Sequence, residues 1–350
     1  MRPLRPRHPT AHLAQLLRAE GLRLVRNGLR PARLETRHEL SLKRLTLEVS
    51  AAEAGLRLDK FLAARSGLAR GACRRAIAEG GVWFRGERLR RLSRPVRAGE
   101  AYELAVDTRP PAEAREPQVL FEDGWLAALD KPPGLPSQGT LASDRSNALA
   151  WAQRRFGGET LAVHRLDAGT SGVLLVARSR ESASRLAARF REGQVEKRYL
   201  AIGHGRLPAK AGSVTAPLRR SPTPGRYQVA SQGGWPSQTD YRLLAESGAD
   251  LFIEARPRTG RTHQIRVHLA HLGAPLIGDS RYRGPETVAR PGGGTFTAHR
   301  PLLHASAITF AHPRDNRPVT IEAPLPDDFT EALQALGLEL APEAEVPAEA

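Results

Sequence analysis

The stretch LAVHRLDAGTSGVLLVAR, residues 161–178, holds the residue types best suited to chemistry. An apolar lead-in ends at His164. A polar turn follows, carrying Arg165, Asp167, Thr170 and Ser171 around Gly169 and Gly172, and an apolar run from Val173 to Ala177 leaves it. The pattern predicts strand, turn and buried strand. Asp167 is a lone carboxylate next to an arginine, with glycines that let backbone or substrate approach closely. Such a group can serve as nucleophile or general base; the plainer alternative is a turn aspartate bonded to its own backbone. Three more polar segments follow along the chain: KRY at 197–199, GRTHQIR at 260–266 and LLHA at 302–305. His263, His268 and His271 lie near one another. Neither an HExxH pattern nor a cysteine pair accompanies them, so no metal site is expected.

These side chains need a scaffold. With 350 residues the chain exceeds one typical core, which predicts two domains and tails. The formal net charge is +16, nearly all of it arginine, because lysine occurs only at 43, 60, 131, 197 and 210. A polyanionic partner follows, nucleic acid ahead of a membrane. Cys73 is the single cysteine, which excludes an intrachain disulfide and fits a reducing cytoplasm. No apolar run approaches the roughly 20 residues of a membrane span, so a cytoplasmic location is expected.

Residues 1–47 read as a basic, proline-containing extension without fixed structure. Residues 48–106 read as a small domain. Its first helix, in GLRLDKFLAAR, would share Leu56, Leu58, Phe61 and Leu62 on one face. Its second would turn Ala72, Ala76 and Ile77 inward and Arg70, Arg74 and Arg75 outward before Gly80 and Gly81 end it. Residues 107–118 have a linker's Pro-rich polar composition. The span 119–326 alternates predicted strands with helices near 145–156, after Ser179, and in RTGRTHQIRVHLAHLG, the last with Ile265, Leu269 and Leu272 on one face. Residues 206–235 read as a long basic loop, and 327–350 as a tail with an acidic end.

Two resemblances emerge from these residues. The segment 48–106, with twelve Lys/Arg against five acids between 55 and 105, resembles an S4 RNA-binding domain. HRLDAGTSG, KRY, GRTHQIR and LLHA in this order resemble the pseudouridine synthases of the large-ribosomal-RNA and tRNA type, whose signature is HRLD-x-x-TSG; GDSRY at 278–282 also fits. The match runs from about Val119 to Pro326. It implies an α+β fold with a mixed, largely antiparallel sheet and a catalytic cleft, preceded by the S4-like module on a flexible linker. It implies Asp167 as catalytic carboxylate, Arg266 paired with it, Tyr199 against the target uracil and Leu303 lining the base pocket. Arg165 would fill the space a displaced nucleotide leaves. His164, Thr170 and Arg261, from the same motifs, join them as candidate substrate-binding residues. The loop Leu135 to Gly139 departs from the family pattern and bears on substrate preference.

The implied activity converts uridine to pseudouridine in structured RNA, ribosomal RNA ahead of tRNA, by a monomer without metal or cofactor. The residue types suit that chemistry. Burial raises an aspartate pKa, and an arginine within about 4–6 Å lowers it by about 1–3 units, so a buried acid that must stay ionised needs an arginine. Two other classes remain: an RNA-binding or ribosome-assembly factor without catalysis, and a nucleoside or glycoside hydrolase, which normally needs two carboxylates.

Overall fold

The computed structural model describes residues 42–107, 116–157 and 159–338. Most of the expected basic extension, most of the expected linker and the acidic end after 338 lie outside the described residues.

The small domain is a four-stranded sheet in the order Leu42–Glu48, Ala101–Asp107, Val82–Phe84, Glu87–Arg88, packed on helices Leu58–Ser66 and Arg70–Glu79. It starts six residues before the expected boundary at 48. The run LKRLTLEV alternates, with Leu47 and Val49 buried and Leu45 packed against the same core, so its basic residues decorate a strand. Phe61, Leu62, Ile77, Tyr102 and Leu104 fill that core. Two details of the helix faces differ from the expectation. Leu56 precedes the first helix and is exposed, and Cys73 rather than Ala72 joins Ala76 and Ile77 inside. Gly80 takes φ 83° and ends the second helix.

The large domain is built on a ten-stranded sheet. Its main path runs Ala211–Thr215, Gln238–Ser247, Asp250–Pro257, Glu196–His204, Leu303–Ala311, Ser171–Ala177, Leu126–Lys131, Gln118–Glu122. One pair is parallel, Leu303–Ala311 with Ser171–Ala177; the other pairings are antiparallel. Ser171–Ala177 is buried along its whole length, as the apolar run Val173 to Ala177 demands of a central strand. At the parallel pair the backbones come so close that a Cβ on Gly172 would lie 2.2 Å from the Ala305 carbonyl oxygen, and φ there is 104°. Only glycine fits.

Three regions depart from the sequence reading. Residues 206–235 are not one loop: Ala211–Thr215 extends the sheet edge, and Leu218–Arg220 pairs with Tyr227–Val229 as a hairpin. Residues 327–336, expected in the tail, form a helix that buries Phe329, Ala332 and Leu336 against Phe252 and Leu302. Asp327 and Asp328 lie in its first turn, where carboxylates interact favourably with the helix dipole. Finally, the two domains are fastened together through residues 140–146 rather than only strung on a tether. Trp83 Nε1 donates to the Leu141 carbonyl at 3.0 Å, Arg88 to the Thr140 carbonyl at 2.6 Å, Arg90 to Asp144 at 2.6 Å, and Ser143 and Ser146 each to Glu79 at 2.7 Å.

Candidate active site

Asp167 sits in the turn that feeds the buried central strand. The turn is held from three sides. The Thr170 N–H donates to the Asp167 carbonyl at 3.0 Å, which closes it. The buried ammonium of Lys131 donates to the carbonyls of Pro132, Leu135 and Ala168 at 2.9, 2.8 and 3.2 Å, tying the Pro/Gly loop to the residue after Asp167. Ser137 brackets Leu166, donating to its carbonyl at 2.7 Å and accepting from its N–H at 2.9 Å. From sequence, Lys131 only ends a strand and Ser137 only lies in the loop that follows. Their role in setting the turn has no sequence signal, because their partners are backbone atoms.

The second support comes from the helix Gln264–His271. It is short and buried almost all round: Ile265, Val267 and Leu269 are inside, and so are Gln264, Arg266 and His268. The expected single apolar face is therefore too narrow, since the sheet covers one side and the hairpin another. Arg266 exploits that burial. Its Nη1 donates to Asp167 Oδ2 at 3.0 Å, while Nε and Nη2 form a two-point pair with Asp279, each at 2.7 Å. Asp279 is 1 % exposed in its side chain and Asp167 18 %, so the arginine joins a buried acid to one that reaches a cavity. GDSRY had been matched as a motif, but nothing in sequence spacing told that its aspartate stands behind Arg266.

That cavity is a cleft of about 510 Å³. Asp167, Tyr199, Arg266 and Leu303 meet there, and His164, Arg165, Thr170 and Arg261 also line it. Leu303 and Thr170 are buried, while Arg165 and Arg261 are exposed at its mouth. Arg261 donates from Nε to the Pro236 carbonyl at 3.2 Å. The His164 ring accepts the Leu175 N–H on Nε2 at 2.8 Å and stacks on Phe190 with centroids 4.8 Å apart. That bond fastens the turn's entry to the central strand. One residue of the cleft was not singled out for it from sequence: His263, considered there only as a metal ligand, has Nε2 3.8 Å from Asp167 Oδ2. Among the described residues no cluster of three or more His, Cys, Asp or Glu could hold a metal ion.

The electrostatics favour an ionised acid in an apolar surround. Burial pushes the Asp167 carboxyl up, but the charge and hydrogen bond of Arg266 and the charge of Arg165 outweigh it and hold it below the usual carboxylate range. Burial and the Asp167 charge push the Tyr199 phenol up, so it stays neutral. Burial takes His164 down to about 3, so its ring is neutral as well. Burial lowers Lys197, which also lines the cleft, to about 8. Its Nζ donates to the Thr259 carbonyl at 3.1 Å. The cleft thus offers one charged carboxylate, a neutral aromatic ring and aliphatic walls, with arginines at the rim.

Comparison with known proteins shows the family. A family model described as RNA pseudouridylate synthase matches residues 126–271, and an S4 domain model matches 56–101. The chain is 34% identical over 266 residues to ribosomal large subunit pseudouridine synthase D of Xanthomonas campestris pv. campestris, covering 72% of this chain and 80% of that protein. It is 34% identical over 307 residues to ribosomal large subunit pseudouridine synthase C of Yersinia pestis, covering 83% and 95%. Among solved structures, human RNA pseudouridylate synthase domain containing 4 superposes with a TM-score of 0.50 at 24% identity, over 63% of this chain and 92% of that one, a likeness of fold. Among the described residues no helix is long and apolar enough to cross a membrane.

Proposed function

We propose, from the premise that this chain belongs to the RNA pseudouridylate synthase family, that Asp167 is the carboxylate with which it converts uridine to pseudouridine, and that its substrate is large-subunit ribosomal RNA. The substrate class rests on the relatives, which carry that RNA in their names. The enzyme acts as a monomer in the cytoplasm.

The reaction is an isomerisation. The N1–C1′ bond breaks, a C5–C1′ bond forms, C5 gives up its proton and N1 ends with one, so no atom enters or leaves. A single ionised carboxylate can begin it, by attack on C1′ or by removing the C2′ proton. Arg266, itself anchored by Asp279, keeps that carboxylate charged in the cleft. C1′ and C5 are out of reach in stacked RNA, so the nucleotide must turn outward, at about a few kcal/mol. Stacking on the Tyr199 ring offsets part of this, since base–aromatic contact is worth about 1–3 kcal/mol. Leu303 walls the base, His164 and Thr170 shape the pocket floor, and Arg165 and Arg261 meet the RNA at the rim. The exposed arginines of the S4 domain add affinity for phosphate without choosing sequence.

The observation that carries the assignment most strongly is the 3.0 Å Arg266–Asp167 bond inside the cleft that also holds Tyr199. A two-carboxylate hydrolase has less support, because Asp279 is spent on Arg266. The test is Asp167→Asn under single-turnover conditions on uridine-labelled ribosomal RNA. The expected result is loss of pseudouridine formation with RNA affinity nearly intact; turnover at the normal rate removes the mechanism, and release of free uracil points to hydrolysis.

A further inference from the structure

His263 stands at the boundary of the helix Gln264–His271 with φ 57°, in the left-handed region that L side chains enter at a cost. Glycine or asparagine would adopt this backbone at least as readily, so the backbone alone does not select a histidine. The side chain's surroundings do. Its Nδ1 is 2.7 Å from the Tyr282 hydroxyl oxygen and its Nε2 faces Asp167 Oδ2 at 3.8 Å. Tyr227 and Tyr282 pack edge-on around the ring, each with centroids 5.6 Å away.

Counting donors and acceptors fixes the ring's proton. The Tyr227 backbone N–H donates to the Tyr282 oxygen at 3.0 Å. The tyrosine's own proton must point elsewhere, and His263 Nδ1 is the acceptor at hand. Burial pushes the Tyr282 phenol up to about 12, so that proton is present at neutral pH. Nδ1 accepts, and the neutral imidazole carries its hydrogen on Nε2, the atom turned towards Asp167. The two sides of the carboxylate are then unequal. Oδ2 has Arg266 at 3.0 Å and the His263 N–H behind it. Among the described residues, no hydrogen bond reaches Oδ1.

We propose that His263 is a positioning residue for the isomerisation: with Arg266 it holds Asp167 Oδ2, which leaves Oδ1 as the reacting atom, and Tyr282 supplies the tautomer that makes this possible. The proposal rests on the assignment of Asp167 above. The His263–Asp167 separation exceeds a hydrogen bond in the free protein and closes when a nucleotide fills the cleft, as catalytic hydrogen bonds commonly tighten in the complex.

The test measures single-turnover tritium release from C5-tritiated uridine in an unmodified large-subunit ribosomal RNA transcript. His263→Asn tolerates the left-handed backbone but is too short to reach Asp167. It slows release by about tenfold to a hundredfold, the worth of a hydrogen bond to a charged group. Its RNA dissociation constant stays within about twofold, and its Tm does not fall. His263→Gln, whose amide N–H extends to the place of the imidazole Nε2, recovers part of the rate. Tyr282→Phe slows the wild-type background but adds nothing to His263→Gln, because an amide has no tautomer to set. A histidine that only fills space would give equal Tyr282→Phe losses in both backgrounds, and that result overturns the proposal. So does His263→Asn releasing tritium at the wild-type rate while Asp167→Asn is inert. If Asp167→Asn itself turns over normally, the assignment of Asp167 falls and takes this proposal with it.

Discussion

In the small domain Asp59 is fully buried between Arg57 and Arg70, at 3.1 and 2.8 Å, and both arginines are about half exposed. In the large domain Arg266 is buried between Asp167 and Asp279, at 3.0 and 2.7 Å. The two clusters have opposite polarity. The first hides one acid to steady two guanidinium groups facing outward, an arrangement suited to a phosphate backbone. The second hides one base to keep a carboxylate charged at the edge of a cleft, an arrangement suited to attack on carbon. A buried charge in either place is tolerated because it has partners, but the energetic weight differs. Losing an outward arm of the first cluster leaves Asp59 a second arginine; losing the centre of the second strips a wholly buried Asp279 of its two-point guanidinium pair.

That contrast yields its largest expected effect at Arg266. Replacing it with Met should cost about 3–5 kcal/mol of stability, the usual consequence of stranding a buried ion, and should remove turnover. Arg70→Met should cost only about 1 kcal/mol or less, because the Arg70 side chain is half exposed and Asp59 keeps Arg57. Urea denaturation of both variants measures the difference, and equal losses would erase the distinction between the clusters.

Acid should separate the two domains next. Burial lowers His164 to about 3 and His263 and His304 to about 4. All three lie in the large domain, and the span 42–107 contains no histidine. Their ordinary pKa is about 6.5. Above that value both folded and unfolded chains carry neutral rings. Between about 6.5 and 4 the unfolded chain binds protons that the folded one refuses, so stability falls as pH falls, by about 1.4 kcal/mol per pH unit for each ring. The depressed carboxylates, Asp167 and Asp59 among them, withdraw their contribution only at lower pH, as it drops through their folded values. Hydrogen exchange at pH 7 and pH 5 should therefore show protection lost in the sheet around Ser171–Ala177 and retained in Ala101–Asp107. Parallel losses would mean that the histidines do not govern the difference.

The smallest effect belongs to the outward arginines. Arg74→Ala and Arg75→Ala, both on the exposed face of the second helix of the small domain, should each weaken RNA binding and lower the salt slope by about 0.7 if they meet single-stranded phosphate. The rate at saturating RNA should not change. A fall in that rate would place the small domain in the chemistry rather than in binding.

The same contrast explains what the sequence did and did not disclose. Asp167, Arg266, Tyr199 and Leu303 come from four separated segments, and a family resemblance drew them together where spacing alone could not. The strand Ser171–Ala177 was legible from its apolar run Val173 to Ala177, although Ser171 and Gly172 read as part of the turn. Asp279, Lys131 and Ser137 were not, since each works through a partner far away in sequence or through backbone carbonyls. Leu42–Glu48 was hidden by its charge: Lys43 and Arg44 made it look like part of a basic extension, although Leu45, Leu47 and Val49 alternate as a strand must. The helix Asp327–Leu336 was missed because its one apolar face, Phe329, Ala332 and Leu336, is short and adjoins a tail that becomes acidic only further on. His263 was weighed as a metal ligand, and only the backbone at φ 57° and the tyrosine at its Nδ1 reveal its place.

The most direct test of the account maps pseudouridine in total RNA by carbodiimide adduct formation and primer extension. Cells carrying the intact gene are compared with cells lacking it and with cells carrying the Asp167→Asn form. The account predicts that one or more stops in large-subunit ribosomal RNA vanish without the gene, return with the wild type and stay absent with Asp167→Asn. An unchanged pattern in all three, or stops restored by Asp167→Asn, would contradict it.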